Sequence, residues 1–159
     1  MIFISKMDSE QMVRKKEPVS ISSILEEQTA QLLPLMQKKN LQMQYRKDAD
    51  FIVEGDHSYL EKAMFNLIEN AVSHNRADGM IRIHTTRDTC IIENTADPIP
   101  EEDLLRVFDI FYTTNQSRSN ADYHRGLGLY LTKRILDLHG IHITLENTAI
   151  GVSVTIHVI

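Results

Sequence analysis

The chain has 159 residues, 17 of them Lys or Arg and 22 Asp or Glu, which gives a formal net charge of −5. With 42% hydrophobic and 25% charged residues it has the composition of one globular domain, able to bury roughly 70% of its unfolded surface, so wholesale disorder is excluded. The acidic balance speaks against nucleic acid and anionic membranes as partners, the lone Cys90 excludes an internal disulfide framework, and no apolar run reaches the length of a membrane span.

From Ile2 to Arg14 the pattern is helical, with Ile4, Met7 and Met12 among charged residues, and Pro18 ends it. A short alternation follows at Val19 and Ile21. Ser23 and Glu26 have the spacing of a capping box, which predicts a helix from Ser23 towards Asn40, with Pro34 either kinking or restarting it. Leu41, Met43 and Tyr45 alternate with polar residues, and Phe51–Val53 is a second short strand signal. Gly55-Asp56 then introduces the clearest helix, whose apolar positions are Leu60, Ala63, Met64, Leu67, Ile68, Ala71 and Val72.

Asp78-Gly79 predicts a turn, and Met80–Thr86 and Cys90–Glu93 predict strands. Pro98 and Pro100 lead into a short acidic helix, Glu101–Phe108. Thr113–Asp122 is nearly devoid of apolar residues and predicts a loop. A helix is expected from Gly126 to His139, closed by Gly140, then strands Ile141–Leu145 and Val152–Ile159. The expected fold class is α/β (α+β), a two-layer sandwich of a mostly antiparallel mixed sheet with helices on one face.

Three groups of residues carry possible chemistry. Asn66 and Asn70, four apart, share one helix face at the edge of the apolar stripe. An amide oxygen there suits a magnesium ion that keeps waters and shares phosphate oxygens, while two solvated asparagines remain the alternative. Gly126-Leu127-Gly128-Leu129 follows His124 and Arg125 at an expected helix start, where backbone N–H groups can meet a phosphate; a tight loop-to-helix junction would look the same. Asn94–Pro100 follows a strand, with Ile99, Phe108, Phe111 and Tyr112 as loop anchors in the core. The seven histidines are scattered, and neither a zinc-ligand spacing nor a Ser-His-Asp signature is present.

Taken in order, these pieces resemble the ATP-binding catalytic domain of sensor histidine kinases, of the Bergerat-type superfamily shared with gyrase, mismatch-repair ATPases and a heat-shock chaperone. Asn66–Ala71 resembles the asparagine box, Asn94–Pro100 stands at the first glycine box, Phe108–Tyr112 resembles the phenylalanine box and Gly126–Leu129 the second glycine box. The resemblance covers Pro18–Ile159, and residues 1–17 look like the end of a dimerisation hairpin and its linker. It implies ATP and ADP as ligands and Mg2+ held by Asn70 with support from Asn66. His74 would lie beside the nucleotide, Asn94 on the adenine amine, Ile99 among the ATP-binding residues and Gly126–Leu129 around the phosphates. Thr113–Arg125 would be an ATP lid, with Arg118 and Arg125 as candidates for phosphate contact.

The same resemblance implies an acceptor histidine upstream of Met1, a response regulator as partner, and a membrane-anchored bacterial parent whose cytoplasmic domain this is. The parent would be a homodimer and this piece a monomer, unable to phosphorylate itself. Two departures bear on activity. Asn94, Ala96 and Pro98 fill the fixed positions of the Asp-x-Gly-x-Gly box, and Ser73 replaces a basic residue three after the magnesium asparagine. Two other readings follow: a degenerate nucleotide-binding scaffold without turnover, and a conformational ATPase. The second is disfavoured because Asn66 stands where such ATPases resemble this box but carry a glutamate base, and an amide accepts no proton.

Overall fold

A computed structural model describes residues 16–109 and 120–159, with the backbone alone for 120–128. In chain order the elements are β1 (Glu17–Ser20), α1 (Ile21–Gln31), α2 (Leu33–Lys38), β2 (Gln42–Lys47), β3 (Ile52–Gly55) and α3 (His57–Ser73). They continue with β4 (Met80–Thr85), β5 (Thr89–Thr95), α4 (Glu101–Leu104), α5 (Asn120–Leu138), β6 (Ile141–Asn147) and β7 (Gly151–Val158).

The main sheet has the order β2-β4-β5-β7-β6. Its β2–β4 pair is parallel and the other three pairs are antiparallel, so it is the mixed, mostly antiparallel sheet that the alternation predicts. A second antiparallel pair, β1 with β3, sets Val19 opposite Val53. Register sorts the faces: Ile83, Ile92 and Val154 align across three strands, as do Cys90, Ile156 and Ile143. These residues turn to the core, joined there by Ile24 and Leu25 of α1, Leu60, Met64 and Ile68 of α3, and Ile135 and Leu136 of α5. Burying each such side chain contributes about 1.5–3 kcal/mol, and one helical layer on one sheet face is the result. Burial pushes the Cys90 thiol up to about 12, as befits a core residue.

Several boundaries differ from the sequence expectation. The first helix opens at Ile21 because Ser20, not Ser23, is its N-cap: the Ser20 hydroxyl accepts from the Ser23 N–H at 3.1 Å. Pro34 restarts the chain, lying in the first turn of the separate helix α2, where its missing N–H costs nothing. The short acidic helix ends at Leu104. The largest shift concerns α5, which is already helical at Asn120, so Gly126 lies within it and not at its start. Asn120–Asp122, expected in the loop, belong to that helix. The predicted Ile2–Arg14 helix, Phe111, Tyr112 and the rest of the loop lie outside the described residues.

Candidate nucleotide site

Helix α3 is anchored at both ends. At its start the Asp56 carboxylate accepts from the Ser58 and Tyr59 N–H groups at 3.0 and 3.3 Å. At its end Lys39 donates to the carbonyls of Val72, Ser73 and Asn75 at 3.0, 2.9 and 3.1 Å, satisfying acceptors that the last helical turn leaves open. Between these anchors Asn66 and Asn70 are half-buried beside the fully covered stripe of Leu67 and Ile68. His74 is the exposed C-cap residue, its N–H donating to the Asn70 carbonyl at 3.0 Å.

Asn94 sits near the end of β5, opposite Ile81 and Val152, and is only 8% exposed. Its Nδ2 donates to the Thr95 carbonyl at 3.1 Å, which fixes the amide and leaves Oδ1 as an acceptor. That acceptor is what an exocyclic amine of a base requires. Helix α3 packs against β5, and Thr95, at the end of that strand, bonds to Asn75 just beyond the helix.

A polar hub that the sequence reading misses ties the two together. Asn75 is 7% exposed; its Nδ2 donates to the Ala71 and Met80 carbonyls at 3.2 and 2.9 Å, and its Oδ1 accepts from the Arg76 N–H at 2.9 Å and from the Thr95 hydroxyl. Thr95 Oγ1 also accepts from the Met80 N–H at 3.0 Å. A Cβ on Gly79 would overlap both the Asn75 amide oxygen and the Thr95 hydroxyl, so the hub requires glycine there. A network with every buried partner satisfied holds its geometry rigidly. Only the turn signal at Asp78-Gly79 hinted at it from the sequence.

The segment after Asn94 lacks the glycines that the resemblance implies, and it is held by different means. Asn147, at the end of β6, accepts from the Ile99 N–H and donates to the Ile99 carbonyl, both at 2.8 Å. The Ala96 N–H reaches the Ile150 carbonyl at 3.4 Å. Gly151 lets the backbone of Asn94–Ala96 approach so closely that any Cβ would collide with it. Asn147 and Gly151 thus shape the loop carrying Ile99, itself half-buried. Neither residue type announces such a role so far away in sequence.

The glycine pair is less directly placed. Gly126, Leu127, Gly128 and Leu129 all lie inside α5, and Leu129 packs partly buried against the core. Arg125 lies in the same helix by its backbone, and Arg118 falls outside the described residues. Phe108 packs against the core, as expected of a loop anchor.

A family model described as histidine kinase-, DNA gyrase B-, and HSP90-like ATPase matches residues 55–159. The sensor protein CzcS of Cupriavidus metallidurans is 30% identical over 144 residues, 88% of this chain and 30% of that protein. The sensor protein VanSC of Enterococcus gallinarum is 30% identical over 147 residues, 91% of this chain and 41% of that protein. The chain therefore spans less than half the length of these relatives. Among solved structures, the nucleotide-free catalytic domain of the histidine kinase ThkA superposes with a TM-score of 0.75 at 25% identity, over 91% of this chain and 95% of that one.

Proposed function

Because the chain belongs to the family of histidine kinase-, DNA gyrase B- and HSP90-like ATPases, we propose that it is the ATP-binding catalytic module of a two-component sensor histidine kinase, delivering the ATP γ-phosphoryl to a histidine on a hairpin outside this chain. The observation that supports the reading is the packing of α3 against β5, with the Asn75–Thr95 hydrogen bond joining the end of the helix to the end of the strand that carries Asn94 and its acceptor Oδ1.

In this reading the Asn94 oxygen accepts from the adenine amine, and Ile99 lines the base pocket. His74 lies beside the nucleotide, and Asn66 supports Asn70. Among the described residues no cluster of three His, Cys, Asp or Glu could hold a metal ion. Asn70 would offer a hard ion its amide oxygen beside phosphate oxygens and water, as magnesium prefers. When bound, that ion neutralises phosphate charge. Gly126–Leu129, with Arg118 and Arg125 as candidates, would face the phosphates. Phosphoryl transfer asks chiefly for positioning and charge neutralisation, which suits a site built of amides without a general base.

The wider assignments rest on likeness alone. ThkA has been solved in complex with the response regulator TrrA, and that structure superposes here with a TM-score of 0.72 at 25% identity, over 90% of this chain and 41% of that one. A response regulator is accordingly the proposed downstream partner, and a membrane-anchored homodimer with this domain in the cytoplasm the proposed parent. No helix among the described residues is long and apolar enough to cross a membrane. Residues 1–17 are proposed as the end of the hairpin and its linker.

The test is to titrate the chain with Mg-ATP, then to incubate it with γ-labelled ATP with and without the purified hairpin. Binding, no labelling of the chain alone, and labelling of the hairpin are expected. Binding without labelling of the hairpin would replace this reading with the nucleotide-binding scaffold, no binding at millimolar nucleotide would overturn both, and steady release of phosphate without the hairpin would favour the conformational ATPase.

A further inference from the structure

The start of α3 and the end of α5 meet through one imidazole. His139 Nδ1 lies 2.7 Å from the Ile135 carbonyl, and its Nε2 lies 3.1 Å from the Asp56 N–H. A carbonyl only accepts and a backbone N–H only donates, so the ring must carry its proton on Nδ1 and present a bare Nε2. A Cβ on Gly55 would overlap this ring, so the two elements close on it without space for adjustment.

Helices α3 and α5 pack along each other, and the end of one meets the start of the other, so they run in opposite senses. From Asp56 to Asn70 is 70 − 56 = 14 residues, and from Gly126 to His139 is 139 − 126 = 13 residues. At 1.5 Å per residue both spans are about 20 Å. The joint at His139 therefore sets Asn70 level with the glycine pair, at the far end of the helix pair.

We propose that His139 is a positioning residue: as the neutral, Nδ1-protonated imidazole it fixes the register of α3 against α5, and with it the spacing between Asn70 and Gly126–Leu129 on which Mg-ATP affinity depends. The proposal rests on the nucleotide-binding reading above. A proton on Nε2 would set two donors against each other and break the joint. Nucleotide affinity should therefore fall when acid protonates that nitrogen.

The charged groups near the joint in sequence or strand register are Asp56, the N-cap of α3, His57 on α3, Glu54 on β3, Glu17 opposite Gly55 on β1, His142 on β6, and Asp137, which is paired with Lys133 at 3.2 Å on α5. His57 and His142 are the competitors, and an H57Q/H142Q background removes them.

The experiment measures the Mg-ATP dissociation constant of the 159-residue chain in that background at about pH 8 and about pH 5.5, either side of the imidazole range. His139→Gln, whose amide oxygen accepts from Asp56 without titrating, is compared throughout. The chain with His139 should lose about fivefold to tenfold affinity on acidification beyond the loss of the Gln variant, the scale of one hydrogen bond. The Gln variant should match it within about threefold at the higher pH. His139→Ala should bind about tenfold more weakly at both.

Equal pH slopes for His139 and Gln, or full affinity in a folded Ala variant, would overturn the proposal. In parallel, NMR of the ring nitrogens should find the proton on Nδ1, and the Asp56 amide should lose exchange protection at low pH only when His139 is present. The opposite tautomer, or unchanged Asp56 protection, would overturn the joint even if no Mg-ATP binding were measurable, an outcome that by itself would overturn the nucleotide-binding reading.

Discussion

Around Asn94 the backbone is held by side-chain amides on both sides, Asn75 joining β5 to the end of α3 and Asn147 clasping Ile99 across the loop. Gly126 and Gly128 lie within α5, where interior N–H groups are already bonded to carbonyls four residues back. In the proposed reading the first flank would present fixed amide acceptors to a base and a metal-bound phosphate. The second can offer N–H groups to phosphate only after helical hydrogen bonds open. Rigid recognition of the base beside an adjustable grip on the phosphates is what this difference teaches, and it can be broken from either side.

The largest effect is expected from Gly151→Ala. The added methyl collides with the backbone of Asn94–Ala96, which cannot yield as a flexible side chain would. Overpacking of this kind costs about 3 kcal/mol, and the displaced loop would take Asn94 with it. Denaturant unfolding should show the loss of stability, and Mg-ATP affinity should fall with it. A variant as stable as the parent would mean that the loop is not held by close approach.

Asn70→Ala should separate binding from folding. Its side chain lies beside the buried stripe and is half-exposed, so stability should change by less than about 0.5 kcal/mol. Loss of the hard ligand should weaken Mg-ATP by about a hundredfold, or about 2.7 kcal/mol. Calorimetric titration with and without magnesium would decide, since unchanged affinity in a normally melting protein removes Asn70 from the site.

Asn147→Ala sharpens the same flank on a smaller scale. Two hydrogen bonds to Ile99 are lost, but both backbone groups lie in a loop that water can reach, so the cost should be about 1–2 kcal/mol in stability. Affinity for ATP should drop about fivefold as the loop loosens. Affinity unchanged while stability falls would confine Asn147 to the fold.

Which of these features could be read in advance follows from their range in sequence. The strand alternations, the α3 stripe and the asparagine pair are local patterns, and they fell where periodicity placed them. Ser20 displaced Ser23 as the cap because both are acceptors, and only the path of β1 chooses between them. The Asn75–Thr95 hub, the Asn147 clasp and the Lys39 cap join residues 20, 48 and about 34 positions apart, and no window of sequence contains them. The resemblance implies glycines where Ala96 and Pro98 stand, and the close approach here comes from Gly151 on the neighbouring strand. Helix α5 began early because Asn120–Arg125 have no breaker, whereas the glycines drew the expected boundary to themselves.

The smallest expected effect bears most directly on the contrast between the flanks. In a helix interior Gly is about 1 kcal/mol less favourable than Ala, since it gives up more backbone freedom. If α5 persisted as a helix with nucleotide bound, Gly126→Ala and Gly128→Ala would each stabilise the chain by about that amount and leave Mg-ATP affinity alone. If the phosphates are gripped by N–H groups that α5 must release, the same substitutions should still raise the melting temperature of the free protein. They should also weaken ATP, about fivefold each, because the helix being opened is more stable and the methyl obstructs close approach. Opposite signs for stability and affinity are therefore the expected outcome, read from melting curves and titrations on the same samples. Gains in both would show that α5 binds as it stands, and losses in both would place the two glycines outside a regular helix even in the free chain.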